Sequence, residues 1–199
     1  SCFKKDILNL VYLSNHFGLK EVGVFWESVV ELNNWHQHRI SKLIVEKLFR
    51  TITGKKICIL GFSFKANTND TRESAAITIC KDLLAEGALL AIHDPKVDPR
   101  QISMDLNIQE SKNLFSKESE NKTNLEGCWC FTENIQDAAK NSDAILVLTE
   151  WNEYTKINWF EISELMRKPS WVFDARSILV PEKVKEANLN LWRIGDGSQ

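Results

Sequence analysis

Residues Lys56 to Glu86 read KICILGFSFKANTNDTRESAAITICKDLLAE, and this stretch sets the fold of what surrounds it. Ile57-Cys58-Ile59-Leu60 is an unbroken apolar run closed by Gly61, as suits a strand buried on both faces. Ile77, Cys80, Leu83 and Leu84 recur at three- and four-residue spacing, which predicts a helix from about Glu73 that ends at Gly87. Leu89 to Ile92 reads as a second strand, stopped by Asp94-Pro95. Strand, loop, helix and strand in this order make a βαβ unit, whose strands run parallel and whose crossover is right-handed. Further strand patterns follow at Cys128 to Phe131, Ala144 to Leu148, Trp171 to Phe173 and Leu189 to Ile194, with helix patterns over Ile135 to Ala139 and Trp159 to Met166. The alternation gives an α/β class: a doubly wound domain with a mainly parallel sheet of about five or six strands.

In such sheets ligands sit beyond the carboxyl ends of the strands, which here means the loop 61–74. That loop carries Lys65, Asp70, Arg72 and Glu73 among Asn67, Thr68, Asn69, Thr71 and Ser74. It lacks G-x-G-x-x-G, so it offers no close backbone approach to a pyrophosphate. What it offers is side-chain charge, with Lys65 as a point cation and Arg72 as a bidentate fork beside the positive end of a helix. An anionic ligand fits these residue types, and so does a solvated loop that caps a helix.

Upstream the pattern is helical. Ile7, Leu8, Leu10, Val11 and Leu13 mark a first helix ended by Gly18, and a second pattern runs without proline from about Lys20 to Arg50. Such a helix spans roughly 45 Å at 1.5 Å per residue. Its apolar residues Trp26, Val29, Val30 and Trp35 call for packing against another copy or another domain. The chain opens at Ser1-Cys2-Phe3-Lys4-Lys5-Asp6 without a Met, as a processed or excised piece would. Two lysines beside Cys2 favour its thiolate, and Asp6 lies one helical turn along the same face. A nucleophile and a carboxylate so placed can meet one substrate; an exposed terminal cysteine is the plain alternative.

The bulk numbers exclude several classes. A net charge of −2 leaves no electrostatic footprint for nucleic acid or an anionic membrane. No apolar run approaches a membrane span and no signal peptide is visible, so the cytoplasm is the expected location. Five scattered cysteines suit reduced thiols rather than a disulfide framework. No metal is expected: Cys128-x-Cys130 lacks further ligands, and His36 and His38 point to different helix faces. Residues 98–127, rich in Lys, Glu, Asn and Ser, read as an exposed insertion.

The order of residues from Gly61 to Ser74, GFSFKANTNDTRES, resembles the UDP-binding-domain motif of the UDP-glucose/GDP-mannose dehydrogenase family. Ser-Cys-Phe-x-Lys-Asp at residues 1–6, Thr149-Glu150-Trp151 and Asp174-x-Arg176 are similar to further motifs of that family. Its members oxidise the C6 alcohol of a sugar nucleotide to a carboxylate with two NAD. The resemblance implies long central helices over 1–53, which carry the catalytic cysteine turn and join copies into a homodimer, followed by a Rossmann-like domain over 54–199 that binds a UDP-sugar. It implies that Cys2 attacks the aldehyde formed by the first hydride transfer, that Asp6 helps activate the hydrolytic water and that Lys5 assists. It implies substrate contacts for Phe3, Phe64, Lys65 and Arg176, and a cofactor-side contact for Arg72. Trp151 is expected to pack at the cleft edge. NAD is expected to be held mainly by a further domain, so these 199 residues alone are expected not to turn over substrate. UDP-glucose is the expected sugar nucleotide; GDP-mannose, a UDP-N-acetylhexosamine, or a non-catalytic nucleotide-binding or dimerisation module are the alternatives. Lys4 departs from the proline often found there in bacterial members.

Overall fold

The computed structural model describes residues 2–111 and 126–197. Among the described residues a helical hairpin, α1 (Cys2–His16) and α2 (Lys20–Lys47), precedes six strands and five further α-helices. These are β1 (Lys56–Leu60), α3 (Ala75–Ala85), β2 (Leu89–His93), α4 (Pro99–Leu106), β3 (Cys128–Phe131), α5 (Ile135–Ala139), β4 (Ala144–Val147), α6 (Trp159–Leu165), β5 (Trp171–Asp174), α7 (Pro181–Glu186) and β6 (Asn190–Arg193). All strand pairs are parallel, in the order β3-β2-β1-β4-β5-β6. The chain direction across the sheet reverses between β1 and β4, and crevices at such reversals are where open α/β sheets bind ligands.

Alternation along β1 explains the two layers. Ile57 and Ile59 face a core built with Ile40 and Ile44 of α2, Ile79 and Leu83 of α3, and Ile102 and Leu106 of α4. Cys58 and Leu60 face the opposite core, with Ala138 of α5, Ile162 of α6 and Val184 of α7. Every β1 residue is buried, as the unbroken apolar run requires.

The helix boundaries depart from the sequence pattern for identifiable reasons. Helix α3 starts at Ala75 because Glu73 holds a φ of 60° and the Ser74 hydroxyl caps the Ala76 amide at 3.3 Å. Helix α2 stops at Lys47 because Phe49 (φ 66°) and Arg50 (φ 61°) turn left-handed, and the Arg50 amide donates to Val45 O at 2.8 Å. The reading of 98–127 as an exposed insertion is corrected at its start. Asp98 caps the Arg100 amide at 2.7 Å, Pro99 occupies the first turn, and Ile102 and Leu106 of α4 are buried. Residues 112–125 of that segment lie outside the described residues. Helix α7, which opens on Pro181, had no counterpart in the sequence reading.

Candidate functional site

The loop between β1 and α3 begins at Gly61, whose φ of 95° a side-chain-bearing residue rarely adopts. A Cβ there would stand 2.4 Å from the Thr149 Cβ, so the turn closes directly onto the end of β4. Beyond it the loop is held by the buried Phe62 ring and by buried polar groups. The Gly61 amide donates to His93 O at 2.8 Å, the Thr149 hydroxyl to Ser63 O at 2.7 Å, and the Ser74 hydroxyl to Phe62 O at 2.8 Å.

Asp94 organises the crevice. Its Oδ2 accepts from the amides of Phe62 (2.8 Å) and Ser63 (3.0 Å) and from Trp151 Nε1 (3.2 Å). Its Oδ1 accepts from the amides of Lys96 (2.9 Å) and Val97 (3.0 Å). One carboxylate thus ties together the carboxyl ends of β1, β2 and β4, and a buried charge so richly bonded is tolerated where a bare one is not. Asp94-Pro95 reads in the sequence as a strand stop. The available hint was an acidic residue at a strand's carboxyl end, next to the reversal point.

Arg176 follows β5 and spans the crevice. Its Nε donates to Leu148 O at 2.6 Å, and its Nη2 donates to Phe64 O at 3.2 Å across 112 residues of sequence. Phe64 is half-buried and Lys65 is exposed beside it. Two of the motifs singled out, the one that carries Phe64 and Lys65 and the one that carries Arg176, therefore meet through the Phe64 carbonyl. Glu150 joins them: its Oε1 accepts from the Ala66 amide at 3.3 Å and its Oε2 stands 3.5 Å from Arg176 Nε.

Arg72 occupies the far end of the loop. Its Nε and Nη2 donate to Asp70 Oδ1 and Oδ2 at 2.9 and 2.8 Å, so the expected fork grips a carboxylate of its own loop. These side-chain bonds, with a backbone bond from Arg72, hold the Asp70 carboxyl down at about 2. The start of α1 reaches the same end of the loop, where Lys4 Nζ pairs with Glu73 Oε2 at 2.9 Å. Lys5 and Asp6 are exposed on α1, and Phe3 lines an apolar hollow with Val29, Leu32, Trp35 and His36 of α2. The Cys2 side chain lies outside the described ones.

The other cysteines are poor nucleophiles. Burial pushes the Cys58 thiol up to about 12 and the Cys130 thiol to about 11, and raises those of Cys80 and Cys128. Among the described residues no group of three or more His, Cys, Asp or Glu could hold a metal ion, and no described helix is long and apolar enough to cross a membrane. His38, read as a surface residue, bonds Asp82 Oδ2 at 2.7 Å, and the Ser41 hydroxyl donates to the same oxygen at 2.6 Å, which fastens α2 to α3.

Residues 58–181 match the family model described as "UDP-glucose/GDP-mannose dehydrogenase family, UDP binding domain". The chain is similar to UDP-glucose 6-dehydrogenase of Drosophila melanogaster, 40% identical over 198 residues, which is 98% of this chain and 40% of the relative. It is also similar to UDP-glucose 6-dehydrogenase of Caenorhabditis elegans, 39% identical over 98% of this chain and 38% of the relative. It therefore spans about 40% of the length of these curated relatives. Among solved structures, the UDP-glucose dehydrogenase of Pyrobaculum islandicum superposes with a TM-score of 0.69 at 22% identity, covering 96% of this chain and 37% of that one. This likeness is one of fold.

Proposed function

The chain belongs to the UDP-glucose/GDP-mannose dehydrogenase family, and from that premise we propose that it binds UDP-glucose in the crevice beyond β1, β4 and β5 and serves its oxidation to UDP-glucuronate. The observation that carries this reading is the Nη2 bond from Arg176 to Phe64 O, which gathers Arg176, Phe64 and Lys65 at the sheet's reversal point. A guanidinium has five N–H donors, and two of these are used within the protein among the described residues. The rest, with the Lys65 ammonium, suit a diphosphate.

Residues 1–53 supply the reacting thiol and residues 54–199 the nucleotide site in this reading. Two NAD, bound in turn, would each accept one of the two hydrides that convert an alcohol to the carboxylate level. This chain fits NAD only at its edge: Arg72 is exposed with its fork on Asp70, and the loop sequence carries no glycine-rich turn beside it, so Arg72 would touch the cofactor while other parts of a longer protein hold it. Cys2 does the covalent work. Its thiolate adds to the C6 aldehyde, forming a C–S bond and a hemithioacetal hydroxyl. After loss of the C6 hydride and of the hydroxyl proton this becomes a thioester. A water then attacks the thioester carbon with Asp6 helping to take its proton and Lys5 assisting, the C–S bond breaks and the thiol is restored. Phe3 lines the sugar side.

Calorimetric titration of the 199-residue chain with UDP, UDP-glucose and GDP tests the assignment. UDP and UDP-glucose are expected to bind, with GDP weaker by about tenfold or more because a site built for one base leaves polar groups unpaired with the other. Lys65→Ala should weaken UDP by about tenfold, as loss of one charged phosphate contact does. A chain that binds no UDP, or a Lys65→Ala variant that binds it unchanged, refutes the reading.

A further inference from the structure

Glu150 is the residue that no expectation assigned a task, and its surroundings are unusual. It follows Thr149 at the carboxyl end of β4, the strand across the reversal point from β1. Its Oε1 accepts from the Ala66 amide at 3.3 Å, directly after Lys65 in the chain. Its Oε2 is sealed from solvent and accepts no hydrogen bond. That oxygen stands 3.5 Å from Arg176 Nε, whose proton is already directed at Leu148 O at 2.6 Å. A sealed carboxylate oxygen without a donor is costly, so something else must justify it. The facing guanidinium does, through charge rather than through an oriented bond.

We propose that Glu150 is a positioning residue for the diphosphate site. One of its oxygens fixes the backbone at Lys65-Ala66 while the other lies against Arg176, so two cations from separate crossover loops keep their spacing before any ligand arrives. Without that carboxylate, the guanidinium would rest on the Leu148 and Phe64 carbonyls alone and the backbone at Lys65-Ala66 would lose a hold. With it, the pair is set out in advance and the cost of ordering them is not taken from the binding energy. A carboxylate near an anionic ligand also opposes that ligand. Its negative charge is turned inward, toward Arg176, and the gain from fixed geometry exceeds the repulsion.

The inference rests on the diphosphate reading of the crevice, and a double-mutant cycle separates the two. UDP affinity is measured by calorimetry for the 199-residue chain and for Glu150→Gln, Arg176→Met and the double variant. Glutamine retains an oxygen for the Ala66 amide and removes the charge. Glu150→Gln is expected to weaken UDP by about fivefold to tenfold in the parent and by less than about twofold once Arg176 is replaced, the signature of coupled neighbours. An unchanged or tighter affinity, or the same loss in both backgrounds, overturns the positioning role while leaving the site reading intact. Arg176→Met binding UDP like the parent overturns the site reading and this inference together. Should Glu150→Gln fail to give a cooperative thermal transition, Glu150→Asp is run through the same cycle, where it keeps the charge, loses reach to Ala66, and is judged by the same two ratios.

Discussion

His93 ends β2 with its ring almost wholly enclosed. Nδ1 lies 3.0 Å from the Tyr154 hydroxyl, which donates to the His93 carbonyl at 3.1 Å, and Nε2 stands 3.7 Å from Glu153. Burial pulls the imidazole below its ordinary 6.5, against the upward pull of Asp94, and raises the Glu153 carboxyl and the Tyr154 hydroxyl. The unfolded chain therefore binds a proton near 6.5 that the folded chain resists. Stability from this group is at its full value above 6.5 and falls as pH drops from there through the lower, folded value. Stability, followed through the melting temperature, is expected to decline as pH falls below 6.5, by about 1.4 kcal/mol for each unit by which the imidazole is depressed. His93→Gln should flatten that slope, whatever it does to the absolute value; equal slopes in both proteins would remove His93 as the source. Residues of this kind were not legible in the sequence. Lys65, Arg72 and Arg176 announce themselves as cations at strand ends, because charge and position along the chain suffice. The importance of Asp94, Glu150 and His93 lies in partners 31 to 84 residues away, such as Ser63, Ala66 and Tyr154. Only the folded sheet makes those partners neighbours.

At the level of elements, the strands and the longer helices were legible because their apolar spacing matches one burial pattern only: both faces for β1, one face for α3. The ends were not. Glu73, Phe49 and Arg50 adopt left-handed backbone without being glycine, and no local signal marks them. Helix α4 was masked by its polar composition, although Asp98-Pro99 is a good helix start. The hairpin of α1 and α2 carries a different lesson. Phe25, Leu32 and Trp35 are 60%, 64% and 55% exposed on α2, Tyr12 is exposed on α1 and Phe17 in the turn after it. Singly exposed apolar residues are ordinary; a run of them along one helix marks a contact surface. Homodimerisation through α2, with Val22, Phe25 and Leu32 near its centre, is the proposed use. Light scattering coupled to gel filtration should give a dimer for the chain, and Phe25→Glu with Leu32→Glu should give a monomer that retains UDP binding. A parent that runs as a monomer at tens of micromolar would refute it.

For the molecule as a whole, the order β3-β2-β1-β4-β5-β6 puts the reversal point, Asp94, Arg176 and the loop 61–74 on one rim. The chain spans about 40% of its curated relatives' length, and its cysteine turn sits at the opposite end of the sequence from Arg176. The 199 residues are expected to bind UDP yet produce no NADH from UDP-glucose and NAD, read at 340 nm; turnover would contradict the dependence on further protein. In a longer protein that is active, Cys2→Ala should lower kcat by about a thousandfold or more with UDP affinity nearly unchanged, as removal of a covalent nucleophile does. The βαβ order made the rim legible from sequence, since connection rules leave few topologies. How the helical hairpin meets that rim was not legible, because it depends on partners far apart in sequence: His38 and Ser41 on Asp82, Ile40 and Ile44 in the core, and Lys4 on Glu73. That last pair is a half-exposed ion pair, whereas Arg176 is fastened to main-chain carbonyls. Dissolved ions weaken the first and barely touch the second. Raising ionic strength is thus expected to loosen the start of α1 from the loop while Arg176 keeps its seat and α2 stays anchored by its buried side chains.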